Sequence, residues 1–186
     1  MVKLEGYGVE LHQLASDDIE QVRLWRNQPE VTRYMEFREY ITPEMQQRWF
    51  GSLSTQNDLY FMVSCAGQQI GVTNLKEINH DAKTAESGTF IADAMMQNSL
   101  IPYGAVLLLL DYGFEVLGLE QIQAHVLDDN PRAIRFNKSL GFMPTTMVRG
   151  GINRLYFLVK EDYYKSTLKI RKVLNLITPK KPQEDL

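Results

Sequence analysis

Residues 95–142 read MMQNSLIPYGAVLLLLDYGFEVLGLEQIQAHVLDDNPRAIRFNKSLGF, and the order of elements in this stretch decides the fold. A polar turn, Gln97-Asn98-Ser99, runs into a helix predicted over 103–117, where Leu107, Leu108, Leu110, Phe114 and Leu117 make the surface apolar almost all round. Such a helix is sandwiched in a core, and Gly118 ends it. In the strand that follows, Ile122, Ala124 and Val126 alternate with Gln121, Gln123 and His125, so His125 reads as a hydrogen-bonded strand residue. Asn130-Pro131 then supplies an N-cap and a first helical residue. Ala133, Phe136 or Asn137, and Leu140 share one face of that second helix, and Gly141 stops it. A polar turn entering a helix presents unpaired N–H groups and a positive dipole end, a natural seat for a phosphate or pyrophosphate.

Upstream, Tyr7, Val9 and Leu11 alternate as a first edge strand, and Ser16-Asp17-Asp18 opens a helix that stops near Asn27 because Pro29 disfavours helical geometry before it. Thr42-Pro43 starts a second helix over 43–54. Leu59 to Ser64 and Ile70 to Ile78 form strands joined by a turn at Ala66-Gly67. Residues 76–86 read as a polar link to the next strand, Thr89 to Asp93. Downstream, Met143 to Arg149 and Arg154 to Val159 form a hairpin around Gly150-Gly151. Ile170, Val173, Leu174 and Ile177 then give an amphipathic helix with Lys169, Arg171 and Lys172 outside. One domain over 1–178 is expected, with 179–186 a frayed tail.

The 186 residues and 44% hydrophobic composition suffice for one well-buried domain. A net charge of -3 gives no basic field for nucleic acid. Cys65 is the only cysteine, which forbids an intrachain disulfide and suits a reducing cytoplasm. The start of the chain lacks a signal peptide's apolar centre, and the leucine run 107–110 is too short for a membrane span. Three scattered histidines with one cysteine make no metal-ligand cluster.

The run Asn130-x-x-Ala133-Ile134-x-Phe136-x3-Leu140-Gly141-Phe142, behind a helix and a strand in that order, resembles the GNAT N-acetyltransferases over nearly the whole chain. The resemblance implies an α/β GNAT fold: a mixed, mostly antiparallel central sheet, splayed in the middle and flanked by helices. It implies acetyl-CoA as co-substrate and a small-molecule amine as acceptor, and it allows a homodimer. The backbone of Phe90, Ile91 and Ala92 would pair with the pantetheine arm, as an added strand does. Gln97 with the N–H groups of Tyr103, Gly104 and Ala105 would meet the pyrophosphate, while Asn130, Ala133 and Phe136 would line the cofactor's other side. The family's glycine loop is replaced here by Ser99-Leu100-Ile101-Pro102: Leu100 cannot take positive φ cheaply, and Pro102 has no N–H to offer.

The family often places a tyrosine at Asn137, or a serine at Ala133, to protonate the departing thiolate. Asn137 can donate a hydrogen bond but is no acid, so either Tyr103, water or solvent supplies the proton, or catalysis is weak. Glu77, His80 and Glu86 are candidates to take the acceptor's proton, directly or through water. The segment with Arg26, Asn27, Arg33, Tyr34 and Met35 packs cations, an amide and aromatics around a helix end. On composition alone a solvated helix end accounts for it. It also resembles the acceptor border of the GNAT enzymes that acetylate a nucleotide-linked amino sugar in pseudaminic acid biosynthesis, with a looser version in the ribosomal-protein acetyltransferase branch. The expected acceptor is therefore a UDP-4-amino-4,6-dideoxy sugar, with a protein N-terminus or a binding module without activity as alternatives.

Overall fold

In the computed structural model, which describes residues 2–178, the chain opens not with one edge strand but with a hairpin, β1 (Lys3–Gly6) and β2 (Val9–Gln13). Tyr7 and Gly8 make its turn at φ of 52° and 80°, so the alternation at Val9 and Leu11 belongs to β2 alone. The tail expected over 179–186 lies outside the described residues. The sheet continues through β3 (Leu59–Cys65), β4 (Gln68–Asn79), β5 (Thr84–Ile91), β6 (Gln121–Leu127), β7 (Met143–Arg149) and β8 (Asn153–Val159), in spatial order β1-β2-β3-β4-β5-β6-β8-β7. Every neighbouring pair is antiparallel except β5 with β6. The polar link expected at 76–86 is mostly strand. Ile78 is buried between exposed Glu77 and Asn79, and Ala85 between half-buried Thr84 and Glu86, so the hairpin reads as polar although it pairs.

Alternation sorts β3 between two faces. Phe61 and Val63 pack with helix α4 (Ile101–Asp111), whereas Met62 joins Leu14, Val22 and Val72 beneath α1 (Ile19–Arg26) and α3 (Pro43–Ser52). Thr42 caps α3 as its sequence requires, accepting from the Met45 N–H at 3.3 Å. Helix α1 starts later than Ser16 suggests, because the Asp18 carboxylate instead holds the Ala15 N–H at 2.9 Å. A single turn, α2 (Pro29–Thr32), follows Asn27.

Helix α4 begins two residues before the expected start and passes into a π-helical turn over Tyr112–Val116, with Gly118 leading out at φ 67°. Pro102 sits in its first turn, where a missing N–H costs nothing. Helix α5 (Pro131–Ser139) is capped by Asn130, whose Oδ1 accepts from the Ala133 N–H at 3.0 Å.

The last helix, α6 (Lys160–Ile177), turns a different face inward than the one expected: Tyr163, Thr167 and Leu174 are buried, and Val173 and Ile177 are exposed. Arg171, expected outside, lies against Asp111 of α4 and beside the paired rings of Tyr163 and Tyr164, each 4.9 Å from its guanidinium carbon. A cation enters a core only beside its counter-charge. Asp111 also accepts from the Tyr7 and Tyr163 hydroxyls at 2.9 and 2.8 Å, which fastens α6, α4 and the first turn together. No helix among the described residues is long and apolar enough to cross a membrane.

Candidate active site

The parallel pair β5 and β6 is matched only over Thr84 to Glu86 against Gln121 to Gln123. Beyond this the strands part, with the Ser87 hydroxyl still reaching the Gln123 carbonyl at 3.3 Å. The wedge between them is a cleft of about 320 Å³, within the usual range for small-molecule sites. Ser87 to Ile91 line one side and Ala124 to Leu127 the other, with Val31, Tyr34 and Met35 from the α2 segment and Asn130, Ala133, Phe136 and Asn137 around α5. A strand edge with no neighbour offers backbone groups to an extended ligand.

The cleft gathers many of the residues singled out from the sequence. Phe90, Ile91, Gln97, Asn130, Ala133, Phe136, Asn137, Glu86, Tyr34 and Met35 all line it. Others sit elsewhere. The Ala92 N–H is bonded to the Ile70 carbonyl at 2.8 Å. Both ends of the Asn27 amide clamp the backbone of Ile41, at 2.8 and 2.9 Å, so that side chain is a strut between α1 and the loop before α3. The Arg26 guanidinium reaches only the Phe37 carbonyl, at 3.5 Å, and its Nε has no aligned partner. Burial pushes its pKa down, against the field of Tyr60. Arg33 stacks over the Tyr34 ring at 5.2 Å, outside the lining. Glu77 and His80 border a separate shallow hollow, and the Glu77 side chain is 70% exposed.

Leu100 needs no positive φ, because the glycine loop is replaced by a 3₁₀ turn at Met96–Asn98 that leaves Leu100 right-handed at φ -82°. The cleft stays open beside Ile91 and Pro102. The helix entrance is less bare than expected, however. Ile101 donates to the Ser99 hydroxyl at 3.1 Å, Gly104 donates to the Leu100 carbonyl at 3.1 Å, and Pro102 has nothing to donate. Arg132 of α5 brings a guanidinium to the same mouth, donating to the Gln97 side chain, whose amide in turn donates to the Ile91 carbonyl at 2.7 Å. Tyr103 points away, its hydroxyl 3.0 Å from Ser139 and its ring against Phe136, while the Asn137 amide donates to Ala133 of its own helix at 2.9 Å.

Gly104 is needed for packing. A Cβ there would fall 2.6 Å from the Tyr7 carbonyl oxygen. Gly104→Ala is therefore expected to destabilise the chain by about 1–3 kcal/mol, as overpacking does, with acetyl-CoA affinity little changed. Urea unfolding beside calorimetric titration checks this, and lost affinity at unchanged stability would return Gly104 to the ligand site.

At the apex of the wedge three titratable groups meet. Glu86, only 12% exposed, holds the Lys76 ammonium 3.0 Å from Oε1. Burial works against that ammonium, yet the hydrogen bond to Glu86 and the fields of Glu86 and Glu77 outweigh it and raise the Lys76 pKa. On the other side, His125 Nδ1 lies 3.1 Å from Oε2, in ion-pair range but off the hydrogen-bond line, so this buried nitrogen has no aligned partner. In the sequence His125 reads only as a hydrogen-bonded strand residue, and nothing singles out Arg132. The available signals were an imidazole on the polar face of β6 and a cation in the first turn after Asn130.

An open strand edge beside a helix entrance, in a sheet split at one parallel pair, is the architecture of an acyl-CoA-using transferase. Residues 9–143 match the Acetyltransferase (GNAT) domain family, and the chain belongs to it. It is an acetyltransferase, with acetyl-CoA as the acetyl donor. Among individual proteins it is similar to spermidine N(1)-acetyltransferase of Escherichia coli (strain K12), 31% identical over 138 residues covering 74% of each chain. It is also similar to acetyltransferase PseH of Campylobacter jejuni, 29% identical over 73% of this chain and 80% of that one. Spermidine N-acetyltransferase from Vibrio cholerae, solved in complex with CoA and spermine, shares the fold at a TM-score of 0.70 and 20% identity, over 85% of this chain and 99% of that one. A domain from Methanocaldococcus jannaschii does so at 0.73 and 21%, over 81% and 97%.

Proposed function

We propose that this enzyme acetylates a primary amine on a small molecule carrying more than one positive charge. The observation that carries this reading is the charge of the cleft: Glu30 and Glu36 line it, Glu86 at its apex is balanced by Lys76, the guanidinium among its lining residues is Arg132, and Arg26 and Arg33 stay out. Carboxylates in a partly closed cleft attract a polycation and repel a diphosphate. The likeness to spermidine N(1)-acetyltransferase supports the same choice. Acetyl-CoA supplies an activated acetyl group when bound. The cleft-facing edge of β5 at Thr89 and Ile91, where Gln97 already holds the Ile91 carbonyl, the Asn130 side chain and the Arg132 guanidinium are the groups fitted to hold it, with Arg132 compensating for the helix N–H groups spent on Ser99 and Leu100.

The likeness to PseH favours a second reading, a nucleotide-linked amino sugar. Acetyl-CoA turnover with spermidine, with a UDP-4-amino-4,6-dideoxy sugar and with an N-terminal peptide separates the possibilities. Faster turnover of the polyamine, weakened by Glu30→Gln and Glu36→Gln, is expected. A preference for the sugar nucleotide would overturn the polycation reading and leave amine acetylation standing.

A further inference from the structure

A primary amine meets the enzyme as an ammonium with no lone pair, since its ordinary pKa lies near about 10.4. It must lose a proton before it can attack. Of the carboxylates in the cleft, Glu30 and Glu36 are exposed, and Glu36 faces Arg149 at 3.8 Å. Glu86 is already committed, Oε1 to Lys76 and Oε2 to the His125 ring. His125 is the remaining group. Its Nδ1 is buried against Glu86, so what stays accessible of a side chain only 14% exposed is the opposite edge, which carries Nε2 and lines the cleft. The placement follows from topology: Glu86 is level with Gln123 in the parallel pair, and His125 is the next residue of the same parity on β6, where the strands have parted.

We propose that His125 is the general base of the transfer and that Glu86, itself held by Lys76, is its positioning residue; the assignment rests on the amine acetylation proposed above. The acceptor ammonium gives one proton to Nε2 while Nδ1–H turns to Glu86 Oε2, a small rotation of the kind that tightens an unliganded site. The freed lone pair forms the C–N bond as the thioester C–S bond breaks. The nitrogen's surplus proton passes through solvent to the thiolate, giving a neutral amide and a thiol, and the imidazolium returns its proton to water. A carboxylate behind the imidazole fixes which nitrogen carries hydrogen and steadies the cation that forms.

The full chain without ligand provides the first test. Long-range ¹H–¹⁵N spectra at mildly alkaline pH are expected to show the His125 ring protonated on Nδ1 and bare on Nε2, with Glu86→Gln shifting hydrogen towards Nε2. In turnover, His125→Gln is expected to lower kcat by about 100-fold with the KM for acetyl-CoA unchanged, and free imidazole to restore part of the activity of His125→Ala. A parent that acetylates none of the amines above sinks the proposed function and this assignment together. An active parent whose ring is protonated on Nε2, or a His125→Gln variant that keeps its kcat, sinks the assignment alone.

Discussion

Asp111→Asn is expected to lower the free energy of unfolding by about 3 kcal/mol, the low end for breaking one partner of a buried ion pair. Asp111 and Arg171 are 23% and 17% exposed, so solvent screens the pair only in part. The carboxylate takes two guanidinium bonds and two tyrosine hydroxyls. An amide would turn its NH₂ towards one of those donors and leave the cation without a counter-charge. At about 2–4 °C per kcal/mol for a chain of this size, the midpoint of thermal unfolding falls by about 6–12 °C. A loss below about 1 kcal/mol, the worth of a surface pair, would show that α6 is held by packing alone.

The same cluster makes the fold sensitive to alkali. Burial, then the hydrogen bond to Asp111 and its charge, push the Tyr7 hydroxyl up to about 12. Tyr163 and Tyr164 are raised too, chiefly by burial. Unfolded tyrosines titrate near about 10. Above that pH the unfolded chain has released protons that the native state keeps, so stability falls as pH rises towards the native value. Urea midpoints should decline steadily between those limits, and less steeply in Asp111→Asn, which loses part of the upward shift but not its burial component. A flat profile would mean that the hydroxyls ionise without disturbing the fold.

Asn130→Ala is expected to weaken acetyl-CoA binding by about tenfold or more, the cost of about 1.4 kcal/mol, whereas Asn137→Ala changes it little. Asn130 is buried at the cleft wall and caps α5, so its loss both removes a polar group from the site and loosens the helix that carries Ala133 and Phe136. The cap alone is worth about 1 kcal/mol of stability. Asn137 spends its amide on its own helix. Calorimetric titration of both variants with acetyl-CoA decides the matter, and equal affinities would remove Asn130 from the ligand site.

Local rules were legible. Thr42-Pro43 and Asn130-Pro131 mark helix starts because a cap and a first-turn proline act within a few residues, and the strands of the β3–β4 and β7–β8 hairpins follow from alternation interrupted by glycine turns. What depends on partners distant in sequence was not legible. Arg171 looked like a solvent-facing cation because nothing nearby in the chain announces Asp111 or the tyrosines that enclose it. Asn27 and Arg26 looked ready for a ligand, yet Ile41 and the floor under α1 claim them. His125 looked like an ordinary strand residue until a parallel pairing, which no local periodicity encodes, set it against Glu86. The sequence by itself determined most of the strands and helices, the caps at Thr42 and Asn130, and the family, since these rest on short-range backbone chemistry and a contiguous motif. Only the tertiary structure decided which polar groups face the wedge and which are spent as struts, because burial and charge pairing are settled by whichever strand or helix arrives from elsewhere in the chain.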